Sequence, residues 1–299
     1  MLPPHFELRS QSSIFQATWS HALGHPPRGL ALAREKGWTL AWDTQDWLYL
    51  LNASGERQAQ VHTSAKLSTA ACADDGLAYA AGSADGKIWW LLPDLRTRWE
   101  RSVGHSVTAL ALDSFGQYLA VGDSLGMVTI FDSLGRQLVQ IQSQRPLHQL
   151  SFIPAAPLLI GASDYGLITC FDLSGKLLWR DGIVAHIGSQ SVSGGGEKII
   201  LACFSEGLQE YDVKGNNLGR HTLSEPAQLA ALTYDARHLL VAGMGKHLLW
   251  LDAEHKVLST HELEKPTGAM AISPLGERAV VAQAESSLVG FDLRLSLQP

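Results

Sequence analysis

The chain has 299 residues, with 23 Lys and Arg against 29 Asp and Glu for a net charge of −6, and only 17% of its residues are charged. Its ordinary apolar content excludes a disordered chain, and the acidic balance with no basic run argues against nucleic acid as a partner. No run of about 18 apolar residues occurs, so a membrane partner is not expected.

The first residues, MLPPHFELRSQSS, lack a basic start followed by an apolar stretch, and no export signal is expected there. Cys72, Cys170 and Cys203 are odd in number, and each lies in an apolar run outside any paired spacing. They suit small core residues in a reducing compartment, and a cytoplasmic protein is expected.

From about residue 26 the chain repeats every 40 residues. Phe131-Asp132, Phe171-Asp172, Tyr211-Asp212, Leu251-Asp252 and Phe291-Asp292 keep that spacing without slippage, with Leu51-Asn52 at the same phase upstream. A period of this size marks a propeller or solenoid array. Within each unit an innermost strand comes first. Ala31, Ala71, Ala111, Ser151, Ser191, Ala231 and Ala271 share one phase there, between larger residues such as Leu110 and Leu112. The alternation is that of a strand, and the small position makes room where neighbouring units converge on an axis.

A hairpin turn follows, with Gly76, Gly116, Gly196 and Gly276 in phase. The second strand leads to another turn, carrying Gly86, Gly126 and Gly166, and the third strand runs into the repeated Asp. After it, the carboxylate or amide can bond forward into a turn in which Gly55, Gly135, Gly175 or Gly215 accepts a positive φ. A fourth, outer strand closes the unit. The last unit ends soon after Asp292, while Trp19 holds the phase of Trp99 and Trp179. Residues 15–24 are therefore expected to supply the missing outer strand of the seventh unit. The expectation is an all-β, seven-bladed β-propeller with four antiparallel strands per blade, one domain over residues 1–299, closed by its N-terminal strand.

Gly24-His25 and Gly104-His105 precede Leu51-Asn52 and Phe131-Asp132 by the interval seen between the Gly-His and Trp-Asp dipeptides of WD-repeat propellers, which the units resemble. The run DLSGKLLW at 172–179 is also similar to the repeat of quinoprotein propellers. The first resemblance implies a platform for other proteins. The second would imply a quinone and calcium, but no acidic and amide cluster to hold them is visible, and no cofactor is expected.

None of the twelve histidines stands in a metal-ligand spacing, and His25, His105 and His186 fall near one repeat phase, so no metal is expected. No Ser/His/Asp order or nucleophile elbow is recognisable. Arg28, Ser68, Thr108, His148 and Gln228 share the phase at the start of the innermost strand, with Gly188 and Gly268 completing the ring. They put polar groups at one channel mouth. A small-molecule hydrolase or lyase, lactonase-like and centred on Arg28, His148 and Gln228, is the enzyme alternative.

The loops between second and third strands open on the same face and carry Asp43, Asp46, Asp85, Asp123, Asp164, Glu206 and Glu285, with Lys246 and His247 in the sixth unit. Such a face could steer a basic segment, although Asp is also a turn former. Leu125, Tyr165, Phe204 and Met244 stand at four consecutive loop tips, where turns rarely need such residues. The leading expectation is a non-enzymatic scaffold binding a protein or peptide, with Leu125, Tyr165, Phe204 and Met244 as anchors. Asp85, Asp123 and Asp164 are its expected acidic flank.

Overall fold

A computed structural model describes residues 14–293. The N-terminal stretch 1–13, where no export signal is expected, lies outside the described residues. Among those described there is no helix, and hence none long and apolar enough to cross a membrane. The chain forms five four-stranded antiparallel sheets and one seven-stranded sheet, a propeller-like all-β arrangement.

Each unit contributes its strands in sequence order, as in Val107–Leu112, Tyr118–Asp123, Met127–Asp132 and Gln137–Gln142. The innermost strands adjoin one another in chain order, and the last, Thr267–Ile272, packs against the first, Pro27–Ala33. Phe15–Ala22 pairs antiparallel with Ser287–Leu293, joining the two ends of the chain in one sheet with a register shift between Ala17 and Trp19.

The repeated Asp is a turn device. The Asp132 carboxylate accepts N–H bonds from Leu134 and Arg136, Asp212 from Lys214 and Asn216, and Asp252 from Glu254 and Lys256. Asn52 does the same with Ser54 and Glu56. In Asp172 the Ser174 hydroxyl and the Lys176 N–H hold the carboxyl below its usual range. Where the chain then reverses, Gly55, Gly135, Gly175 and Gly215 have φ of 79°, 74°, 88° and 86°.

That glycine also makes the seam between units. A Cβ on Gly55 would meet the ring of Trp19 at 2.4 Å, one on Gly135 the ring of Trp99 at 3.0 Å, and one on Gly215 that of Trp179 at 2.7 Å. The indole of the outer strand lies flat on the next unit's turn. Trp99 and Trp179 each fix it by donating Nε1–H to a carbonyl 34 residues ahead, Ser133 and Val213.

One junction departs from the repeat. Leu177–Val192 is a single strand of 16 residues, the outer strand of the fourth unit continuing as the inner strand of the fifth, which fuses two units into the seven-stranded sheet. The other junctions carry Pro26, Lys66, Ser106, Pro146, Pro226 or Pro266 where this one has His186. In four of these six a Pro restricts the residue before it and removes a ladder donor, an interruption that Gly182 to Ile187 lacks; the junctions at Lys66 and Ser106 break without one.

Candidate functional site

The uninterrupted strand sets up the most exposed apolar feature on the face of the second-to-third-strand turns. Tyr165 begins strand Tyr165–Asp172 and pairs with His186 across the ladder; Val184, on the same long strand, is 99% exposed. The Tyr165 ring, 67% exposed, meets the His186 imidazole edge-on at 5.2 Å, and His186 meets Phe204 edge-on at 4.8 Å. Three rings form a continuous row over the fourth and fifth units.

Backbone bonds hold the row. Phe204 N–H donates to the His186 carbonyl at 3.1 Å, Ile187 N–H to Asp164 at 3.0 Å, and the Arg145 guanidinium to the Tyr165 carbonyl at 2.6 Å. Phe204 is half-buried because it leans over Gly188, whose Cβ, were one present, would lie 3.0 Å from Phe204 Cε2 and 2.3 Å from the Gln228 carbonyl. Glycine at 188 lets the ring and the neighbouring strand come this close. Leu125 and Met244 are exposed at the tips of the flanking third and sixth units.

The acidic flank is a different matter. Asp85 is exposed and accepts the Ser83 hydroxyl at 2.5 Å, a bond that holds its carboxyl below the usual range. Asp123 is buried, and its carboxylate accepts the Leu125 and Met127 N–H groups at 2.9 Å each, so it shapes its turn and presents no charge to a partner. Asp164 shares its position with His148, whose Nδ1 lies 3.5 Å from Oδ1. Other acids on these loops are also engaged. Asp43 is buried against the Tyr49 hydroxyl, Asp46 accepts Leu67 N–H, and Glu206 and Glu285 pair with Arg220 and Lys265. What the structure groups on this face is aromatic surface beside acids that mostly serve their own turns, with Glu206 and Glu285 ion-paired.

The polar ring at the channel mouth is mostly stitching. Arg28 donates to the Leu67 carbonyl at 2.5 Å and Thr108 to the Leu147 carbonyl at 2.6 Å, each reaching 39 residues ahead to the next unit. Ser68 bonds the Gly82 carbonyl of its own unit. A central cavity of about 240 Å³ is lined by Ala71, Ala111, Leu110 and Phe152 together with polar Arg34, Asp74, Ser151, Gln190 and Tyr234; Arg28, His148 and Gln228 do not line it.

Its polar end is the opposite one, which the sequence did not single out. The Tyr234 hydroxyl donates to the Asp74 carboxylate across the channel, from the sixth unit to the second, and the Arg34 guanidinium lies 4.8 Å from the centre of the Tyr234 ring. Burial and the Asp74 charge push the Tyr234 hydroxyl well above its ordinary range. Leu77, Phe115 and Leu275, in first-hairpin turns, are also exposed and went unremarked. They flank the glycine of that turn, Phe115 and Leu275 directly before Gly116 and Gly276 and Leu77 directly after Gly76, and reading those neighbouring positions for size would have found them.

Comparison of the chain with protein-family models finds no match, and comparison with curated proteins finds none.

Proposed function

We propose that the chain is a seven-bladed, WD-repeat-like β-propeller closed by its N-terminal strand, and that it works as a non-enzymatic scaffold. It binds an extended protein or peptide segment across Tyr165, His186 and Phe204. The closed ring is supported by the pairing of Phe15–Ala22 with Ser287–Leu293 and by the packing of the first innermost strand on the last. The observation that carries the binding reading is the ring row itself. Tyr165 and His186 stay exposed and Phe204 half-exposed while hydrogen bonds fix their backbone, which suits anchoring of a partner at low entropic cost.

Val184 extends the row, and Leu125 and Met244 set its outer limits. Because most acids on this face are engaged in hydrogen bonds or ion pairs of the fold, the partner segment is apolar or aromatic in its central contact, with basic residues on the side near Asp85. Burial pushes the Cys170 and Cys203 thiols up to about 11, which suits inert core groups. The hydrolase alternative loses ground because Arg28 is spent on a neighbouring carbonyl and the central cavity is lined by neither His148 nor Gln228.

Selection of displayed peptides on the immobilised chain tests the reading. Enriched sequences should carry an aromatic or large apolar residue and bind Tyr165→Ala at least tenfold more weakly. Peptides that bind this variant as well as the parent would remove the row as the site.

A further inference from the structure

Three breaks in the repeat coincide at one seam, between the fifth and sixth units. Glu210 occupies a third-strand position held elsewhere by Leu50, Trp90, Ile130, Cys170, Trp250 and Gly290, and it is buried. Gly219 stands where Trp19, Trp99 and Trp179 supply the seam indole, and no neighbour approaches the place of its Cβ. His255 stands where four other units have the turn glycine, and keeps that residue's left-handed backbone at φ 65°. A non-glycine there costs about 1 kcal/mol or more, and such strain gathers at functional sites.

The displaced seam contains a carboxylate and two imidazoles. His255 Nε2 lies 2.5 Å from Glu210 Oε1, with both side chains 6% exposed, and the His221 ring stacks on His255 at 3.8 Å between centroids. One ligand atom from each of the three residues falls within 4.8 Å of the others. His255 Nδ1 is buried without a hydrogen-bond partner, so this ring position leaves a nitrogen unsatisfied. Lys198 Nζ, 3.8 Å from Glu210 Oε1 and bonded to the Ala253 carbonyl, flanks the carboxylate from just before strand Ile199–Cys203, which pairs with the strand of Glu210.

We propose that Glu210, His221 and His255 form a binding site for a divalent transition metal, zinc above all, that ties the fifth unit to the sixth. Two imidazoles and a carboxylate are a donor set that zinc favours over magnesium or calcium. With bonds of about 2.0–2.2 Å, tetrahedral ligands stand roughly 3.3 Å apart, so donor atoms within 4.8 Å of one another have to close by little more than about 1 Å. Water completes the coordination. Lys198 remains on the outer side of the carboxylate and moderates the affinity. The three ligands come from two units at spacings of 11 and 34 residues, which no local motif reveals.

The test uses the full chain without a histidine tag, stripped by chelator and titrated with Co²⁺, then with Zn²⁺ in competition. The expected result is one equivalent of Co²⁺ with the intense visible bands of tetrahedral coordination, displaced by Zn²⁺. Binding should weaken at least tenfold in His221→Gln and in His255→Gly, the second of which restores the residue that the repeat itself uses. A stripped chain that takes up neither metal, or variants that bind as the parent does, would overturn the assignment.

Discussion

Removal of residues 1–24 should remove most of the stability of the fold. Strand Phe15–Ala22 is the partner of Ser287–Leu293, and in the same segment Phe15 and Leu23 are both buried, each 6% exposed. Burying side chains of this size is worth about 1.5–3 kcal/mol each. Trp19 adds a similar amount, because its ring lies 2.1 Å from where a Cβ on Gly290 would be and 2.4 Å from that on Gly55, seated on two units at once. The sum, roughly 4.5–9 kcal/mol, compares with the 5–15 kcal/mol that typically separates folded from unfolded domains. The truncated chain would also expose Ser287–Leu293 as an open edge able to recruit other strands. The milder change Phe15→Ala isolates the packing part and should cost about 3–5 kcal/mol. Urea unfolding followed by tryptophan fluorescence reads both: the midpoint should fall sharply for Phe15→Ala with little change in slope, and the truncation should be unfolded or aggregated. A truncated chain with the parent's midpoint and a single cooperative transition would refute the closure.

Two further outcomes follow from buried polar groups. Tyr234→Phe deletes the bond to Asp74 across the channel and should lower stability by about 1–1.5 kcal/mol; an unchanged urea midpoint would show that the two units are not coupled there. Burial holds His238 and His261 below the ordinary value of 6.5, with His238 stacked on Trp250 and His261 between Phe15 and Phe291. The unfolded chain then takes up protons more readily than the folded one, so this stability is complete above pH 6.5 and is lost as the pH falls below it. The urea midpoint should drop between about pH 7.5 and pH 5.5, and His261→Leu should flatten part of that slope; equal slopes in parent and variant would exclude His261 as a contributor.

The strands and turns were legible because the repeat is written in residues with a backbone reason to be there. Asp132, Asp172 and Asp212 bond into the turns that follow them, and Gly135, Gly175 and Gly215 adopt the positive φ those turns require. The pairing of the chain's two ends was legible in the phase of Trp19 alone. Asp123 shares its phase with the buried Asp43, Ser83 and Ser163, and Asp85 stands two positions later with the exposed Leu125, so phase alone would have told the inward carboxylate from the exposed one. What escaped was whatever depends on contacts between units. His186 reads as a loop residue by its phase, but no proline or other breaker interrupts residues 182–187, and the strand runs through it. Tyr165 and Phe204, 39 positions apart, meet the same imidazole only because that strand is continuous. Glu210, His221 and His255 escaped for a related reason, since their meeting depends on the size exchange between Gly219 and His255 at a single seam.

The central claim is that the Tyr165, His186 and Phe204 row is the partner surface, and affinity capture from native host extract with the two faces compared tests it most directly. Tyr165→Ala removes an exposed ring and should leave stability within about 0.5 kcal/mol of the parent, as should Phe115→Ala on the opposite face. The parent and Phe115→Ala should retain the same partner, and Tyr165→Ala should lose it. A partner that stays with Tyr165→Ala and leaves with Phe115→Ala, or a parent that captures nothing, would contradict the account.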